Sequence, residues 1–420
     1  MRSTRTRTTR ATRTLHAAGG LAALCALALT APAHAASPAE GAAGDPGAAG
    51  KKCTPGITVL DSLPGGAEWV VSSGGSPAVN GFGPLGLTVG VSQNRPVYWT
   101  GKKVRAVPLP AGYTGGSVEA VNRWGLMVGS MYGPAGRAAF LWLPGTPKAK
   151  ALPGGQFATD VNDLGRIVGY RWENDGGATG LEWSGTTLRR TLTKPAGGGS
   201  LQEITGINNA GQIVGSGYVV DDETHEHHGG LLWPADPKAP PRELKPFSPG
   251  DTYEYWNPVD IDAKGRVAGN WWYSRADNGN GVVWKAPYEE VQFTGNPGDY
   301  TRHSFDDVSE RTGVFVGTAF DSYVTGPWPP DTAPPVLATR WAGSGNVLGL
   351  PRLGAGGDST ARSASDDDRV GGAAEDAGGV AKPVIWTCAS QQAGEIPRTP
   401  GAADRVQRKL AGLGFTVPRH

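Results

Sequence analysis

One short pattern, returning again and again along the chain, limits what this sequence can fold into more than any other feature. Val121-Asn122 is followed three residues later by Gly125 and then by Val128-Gly129, with Ala139-Phe140-Leu141-Trp142 next. Val161-Asn162 runs in the same way through Val168-Gly169 to Trp183, and Ile207-Asn208 through Val214-Gly215 to Trp233. Ile261-Asp262 to Gly269 before Trp284, and Val89-Gly90 before Trp99, are looser copies. Val308-Ser309 to Gly317 before Trp341, and Ala364-Ser365 to Gly372 before Trp386, bring the total to seven. A unit this short cannot bury its own apolar face, so copies must pack on one another.

Each copy reads as three strands. An apolar strand ends at Asn or Asp, whose side chain closes a tight turn that the following Gly completes with positive φ. A strand carrying Val-Gly and a strand ending in apolar-Trp follow. Ahead of each copy stands a segment such as Leu63-Pro64, Leu109-Pro110 or Leu152-Pro153, which predicts a fourth strand at the outer edge, where proline's missing N–H does no harm. The chain opens with such a segment and its last copy has none after it. The expected fold is therefore all-β, a seven-bladed β-propeller with four-stranded blades, closed by the N-terminal strand completing the last blade. An open stack of repeats is the alternative, but it leaves both ends uncapped.

Composition agrees: 65 glycines and 34 prolines make long helices scarce and turns many. Residues 1–35 read as a signal peptide, with five arginines, an apolar run Leu15–Leu29 and Ala33-His34-Ala35 at the cleavage site. Those arginines outweigh the whole net charge of +1, so the mature chain stands at −4. Residues 36–52 are a low-complexity linker, 53–388 the propeller, and 389–420 a tail with a possible short helix at Ala402–Leu413. Cys25 leaves with the leader, and the remaining pair, Cys53 and Cys388, reads as a disulfide in an oxidising compartment. In the ring the two fall at one hairpin end.

The pattern Ile-Asn-x-x-Gly-x-x-Val-Gly followed by Ala-Phe-Leu-Trp resembles the bacterial extracellular repeats called HAF. Residues 139 to 142 match the naming signature, with Ala139 where His is usual. The resemblance covers residues 57 to 388, strongest in repeats two to four and weakest in six and seven. It implies a secreted, propeller-like protein of unassigned role, and it brings no catalytic residues to carry over.

The aromatics recurring three residues after the repeat Gly (Tyr132, Trp172, Tyr218, Trp272 and Phe320) share a strand face with Val and read as core. Tyr255, Trp256, Trp271, Tyr323 and Trp328 break the pattern, all from blades five and six, and aromatic rings on loops suit sugars and partner surfaces. Asp222, His225, His227 and His228 form a metal candidate, although their spacing matches no defined zinc motif and a solvated acidic loop is the competing reading. Asp366, Asp367 and Asp368 sit at a repeat turn, which accounts for them. His303-Ser304 with Asp306 and Asp307 is a tempting trio, but neighbours along a strand face opposite ways. No nucleophile elbow and no phosphate-cradling glycine loop occurs.

These features point to a secreted, non-catalytic binding or scaffold protein that contacts a glycan or protein surface through loops of blades five and six. The alternative is a secreted hydrolase or lyase with its site at the propeller channel mouth. No cofactor is expected beyond a metal at the histidine loop. No nucleic acid, no membrane span and no second copy is expected as partner.

Overall fold

The computed structural model describes residues 53–65, 77–195, 199–222, 225–246, 253–274, 278–321 and 335–397, without the side chains of 221–226. All lie in the compact unit Lys52–His420. The leader, the linker and the helix expected at Ala402–Leu413 fall outside the described residues.

The described chain is all-β, its helical content being one turn at Pro84–Gly86 and one at Ala389–Gln392. Every repeat lays its strands down in sequence order as an antiparallel run. Repeat three, for example, pairs Phe157–Val161 with Arg166–Trp172, then Ala178–Ser184, then Thr187–Thr191. The first strands of the other repeats are Ala78–Phe82, Gly115–Val121, Ser200–Ile207, Glu254–Ile261, Arg302–Val308 and Ser359–Ala364. Three four-stranded and two eight-stranded sheets result. Each larger sheet is two consecutive repeats joined through a single residue pair, Ala178 with Leu201 and Gly279 with Arg302. Gly56–Val59, the first strand of all, pairs with Ala381–Thr387 of the last repeat, Ile57 opposite Trp386. Beside this pairing lies the disulfide Cys53–Cys388, with Cα atoms 5.9 Å apart.

The Leu-Pro segments are not themselves the outer strands. The fourth strand ends just ahead of them, at Lys103–Ala106 before Leu109-Pro110 and at Lys150–Ala151 before Leu152-Pro153. Proline cannot donate to a ladder, so it falls in the crossing to the next repeat. That crossing is anchored by the repeat tryptophans, all of them buried. The indoles of Trp99, Trp183, Trp233, Trp284 and Trp386 donate to the carbonyls of Asp61, Pro153, Thr193, Lys245 and Pro351. A buried indole with its N–H satisfied combines large apolar area with directional hold.

The repeat's last glycine has a steric cause. Each first strand carries a β-bulge opposite it: in repeat three the register slips between Ala158 and Asp160, leaving Thr159 unpaired. A Cβ on Gly169 would sit 2.0 Å from the Phe157 carbonyl oxygen, and one on Gly129 2.0 Å from that of Ser117. Only glycine fits there, and the bulge it permits turns the next first-strand residue toward the middle of the repeat array.

The recurring aromatics expected in the core are shallower than that. Trp172 is 38% exposed, and Tyr132, Tyr218, Trp272 and Phe320 are half-buried. They stand in the later half of the second strand, and arginines cover some of them: the Arg302 guanidinium lies 4.0 Å from the Trp272 ring and 5.6 Å from Phe320.

Candidate functional site

The bulges bring side chains from every repeat to one place. A cavity of about 530 Å³ is lined by the ends of all seven first strands and the turns after them. Just past the bulge, three repeats carry an aspartate at the same position: Asp160, Asp260 and Asp307. Each is partly exposed to the cavity. Asp160 Oδ2 accepts the backbone N–H of Ile207 in the next repeat at 2.8 Å, and Asp307 Oδ2 accepts that of Ala364 at 2.7 Å. The Asp260 and Asp307 carboxyl groups lie close enough to perturb each other, and neighbouring carboxyl groups disfavour being ionised together. Glu310, from the turn of repeat six, completes the acidic side of the cavity, and Arg123, Arg311 and Arg369 stand along its edge.

Enclosure shifts the acids. Burial first, with the charges of Asp307 and Asp163, raises Asp160 to about 6 against the hydrogen bonds from Ile207 and Val161. Burial, then the neighbouring Asp307, pushes Asp260 well above the ordinary carboxylate range, and burial likewise raises Asp307. Glu310 is raised by burial to about 7. Asp160 and Glu310 can therefore exchange protons near neutral pH, as acid–base residues must. Among the described residues, no group of three or more His, Cys, Asp or Glu is arranged to hold a metal ion.

The residues singled out from sequence fall elsewhere. Trp256 is 1% exposed and cannot be a surface platform; it packs on Trp284, with ring centroids 5.9 Å apart, and on Trp271 and Phe293. Alternation in a strand explains the difference, since its neighbours Tyr255 and Asn257 take the outward face. Trp271 is half-buried and stacked on Tyr273, and Tyr255 lies 5.4 Å from the ring of His228. Tyr323 and Trp328 lie outside the described residues.

The backbones of Asp222 and His225 are register partners in the hairpin of repeat four. His227 and His228 do not converge: His227 Nε2 contacts Glu243 at 2.6 Å, whereas His228 Nδ1 accepts the Trp256 N–H at 3.2 Å. His303 is buried, with Nε2 3.0 Å from the Thr339 hydroxyl, away from Asp307 and the cavity. Asp160 and Asp260 escaped the sequence reading because they sit in regular repeats where nothing locally distinguishes them. The only available signal was their shared position two residues ahead of the turn residue.

No family model matches this chain, and no curated protein matches it. Among solved structures it is similar to TolB from Agrobacterium tumefaciens, at 15% identity and a TM-score of 0.37 over 68% of this chain and 94% of that one. It is similar also to the β-propeller domain of the Trilobed protease from Pyrococcus furiosus, at 11% identity and 0.46 over 74% and 91%. A gluconolactonase from Xanthomonas campestris matches at 11% identity and 0.38 over 75% and 99%.

Proposed function

We propose that this chain is an exported binding protein of the HAF-repeat type, a closed ring of seven four-stranded blades whose ligand seat is the acid-lined cavity on its axis. Closure is supported by the pairing of Gly56–Val59 with Ala381–Thr387. It is supported also by Ser363 Oγ, which donates to the Val79 carbonyl at 3.2 Å between the last repeat and the first. Export is supported by the arginine-rich, apolar opening of the sequence and by the disulfide, a bond of oxidising compartments.

The observation that carries the binding reading is the gathering of Asp160, Asp260, Asp307 and Glu310 at one cavity reached from all seven repeats. A concave polar seat rich in acceptors suits a ligand rich in hydroxyl groups, such as the end of an oligosaccharide. The glycan contact expected at the loops of blades five and six thus moves to the axis. Screening the protein on arrays of neutral and acidic oligosaccharides, followed by calorimetry, tests this. The expected ligand loses affinity about tenfold or more, some 1.4 kcal/mol, in Asp260→Asn or Asp307→Asn, and is indifferent to Tyr255→Ala. A ligand that ignores both aspartates, or no ligand at all, defeats it.

A second reading, a hydrolase or lyase at the channel mouth, is favoured by the neighbouring carboxyl groups of Asp260 and Asp307, since a pair of coupled acids can both give and take a proton. Turnover of chromogenic glycosides, esters or lactones that Asp307→Asn abolishes without weakening binding would select it.

A further inference from the structure

The chain as a whole is almost neutral, with 39 Lys and Arg against 38 Asp and Glu, but its outer edge is not. The outer segments of repeats one to three, residues 101–110, 143–153 and 185–195, hold eight Lys or Arg and no Asp or Glu. The corresponding segment of repeat five, 285–295, carries Glu289 and Glu290 against Lys285. Scattered along the sequence, these cations form no run. Folding places them on corresponding edges, because each lies on or beside the fourth strand of its repeat.

Lys103 and Arg105 stand exposed on one face of Lys103–Ala106, and Lys148 and Lys150 likewise flank the start of Lys150–Ala151. Residues two apart on a strand place their charges about 7 Å from each other. Successive edges are sewn together: the Ala149 N–H donates to the Pro108 carbonyl at 2.8 Å, and the Trp183 indole to Pro153 at 3.0 Å. The buried Glu182 takes Arg190 at 2.7 Å and lies 3.5 Å from Arg189, whose side chain is still 50% exposed. Among the described residues the ion pairs leave out the edge cations of repeats one and two, Lys102, Lys103, Arg105, Lys148 and Lys150.

We propose that the outer edge of repeats one to three is a docking surface for a linear acidic polysaccharide bearing carboxylates along its length. The three segments contain no aromatic residue, whereas single-stranded nucleic acid is held by stacking on aromatic platforms. Five of the eight cations are lysines, mobile point charges that suit scattered carboxylates better than the bidentate phosphate recognition typical of arginine. A flexible polymer can follow cations spread over three successive sheet edges. The export reading bears only on where such a polymer is met, and the binding itself is tested in solution.

Sodium polygalacturonate is the probe, with dextran as the uncharged control and duplex DNA and phosphatidylserine vesicles as competing anions. Polygalacturonate should bind at low salt and lose roughly 10²-fold in affinity between about 50 and 200 mM salt, the slope of about four released counterions. The combined variant Lys103→Glu, Arg105→Glu, Lys150→Glu and Arg189→Glu should bind at least about tenfold more weakly with its circular dichroism unchanged. Lys264→Glu and Arg95→Glu, off this edge, should bind as the parent does. Three results would overturn the proposal: no retention at low salt, binding unmoved by the four reversals, or tighter binding to DNA or to the vesicles. Because the cavity aspartates stay in place in these variants, failure here leaves the axial site untouched.

Discussion

Repeats two to four and repeats five to seven hold their turns by different chemistry, and the difference explains what the motif's asparagine is for. In repeat three Asn162 Oδ1 accepts the N–H groups of Leu164 and Arg166, closing its own turn, at 3.1 and 3.0 Å. Its amide nitrogen meanwhile donates at 3.0 Å to the Asn208 carbonyl of the next repeat. Asn122 reaches Asn162, and Asn208 reaches Asp262, in the same way and at the same distance. The asparagine is thus a turn and a latch in one residue. Repeat five has Asp262, which keeps the turn through Lys264 and Arg266 N–H but has nothing to donate. There Arg266 takes over the latch: its guanidinium binds Asp262 Oδ2 at 2.7 Å and reaches on to the Gly313 carbonyl at 3.1 Å. In repeat six Ser309 turns the chain, and Arg311 ties it to Asp366 of repeat seven. What is kept from repeat to repeat is the link itself, and the residue type varies.

The sharpest way to break this comparison is to remove the substitute latch. Arg266→Ala leaves the Asp262 carboxylate, 1% exposed, buried without its counter-charge, which should cost about 3 kcal/mol in urea unfolding. Adding Asp262→Asn restores the arrangement of repeats two to four. The double variant should therefore be more stable than Arg266→Ala alone, by about 1 kcal/mol or more. Equal stability of the two would mean that Arg266 acts through its packing on Phe315 and not through the latch.

A milder substitution sharpens it further. Asn122→Asp removes the latch donor in repeat two, where the residue four positions on is Leu126, and should cost about 1–2 kcal/mol for a buried carbonyl left without its partner. Asn162→Asp makes the same change in repeat three, where that residue is Arg166. This guanidinium already lies against Gly211 of the next turn and holds Glu182 at 2.8 Å, so Asn162→Asp should cost about half as much. The reverse order, read from urea midpoints, would show that the latch depends on something other than the fourth residue.

Much of this is legible in the sequence alone. The repeats, the tryptophan that ends each one, the Asn turn and the cysteine pair are all local patterns whose physical cause is local. The site was not legible, for two reasons. Asp160, Asp260 and Asp307 face the cavity only because a bulge opposite the repeat glycine shifts the strand's alternation by one residue, and the glycine by itself does not say which residue on the partner strand is turned inward. The same alternation sends Trp256 inward, although its sequence surroundings suggest a loop. The basic edge of repeats one to three was invisible because its members lie about 40 residues apart and fall on corresponding sheet edges only through the repeat of the strand order.

The smallest expected effect concerns a second belt one residue beyond the asparagines. Asp163 accepts the Arg123 N–H, and Asn209 accepts that of Asp163, at 3.0 and 2.8 Å. Repeat five offers only Ala263 at this position, too short to accept, and Glu310 of repeat six reaches past it to the Asn209 N–H at 2.9 Å. That reach buries the carboxyl group, and burial raises its pKa from 4.5 to about 7 in spite of the Asn209 bond. Between those two values the folded chain binds more protons than the unfolded one, so the stabilisation is present below pH 4.5 and fades as pH rises through 7. Glu310→Gln keeps the acceptor and cannot titrate. Relative to the parent, this variant should gain about 1 kcal/mol between roughly pH 5 and pH 8, the full shift being discounted for the part of Glu310 that water reaches. His228 and His303, whose pKa values burial lowers to about 4 and about 3, pull the opposite way, but they are common to both chains and cancel in the difference. A pH-independent difference would mean that Glu310 remains ionised and hydrated at the cavity mouth. The belt would then be held by an exposed carboxylate, and a proton would play no part in linking repeat four to repeat six.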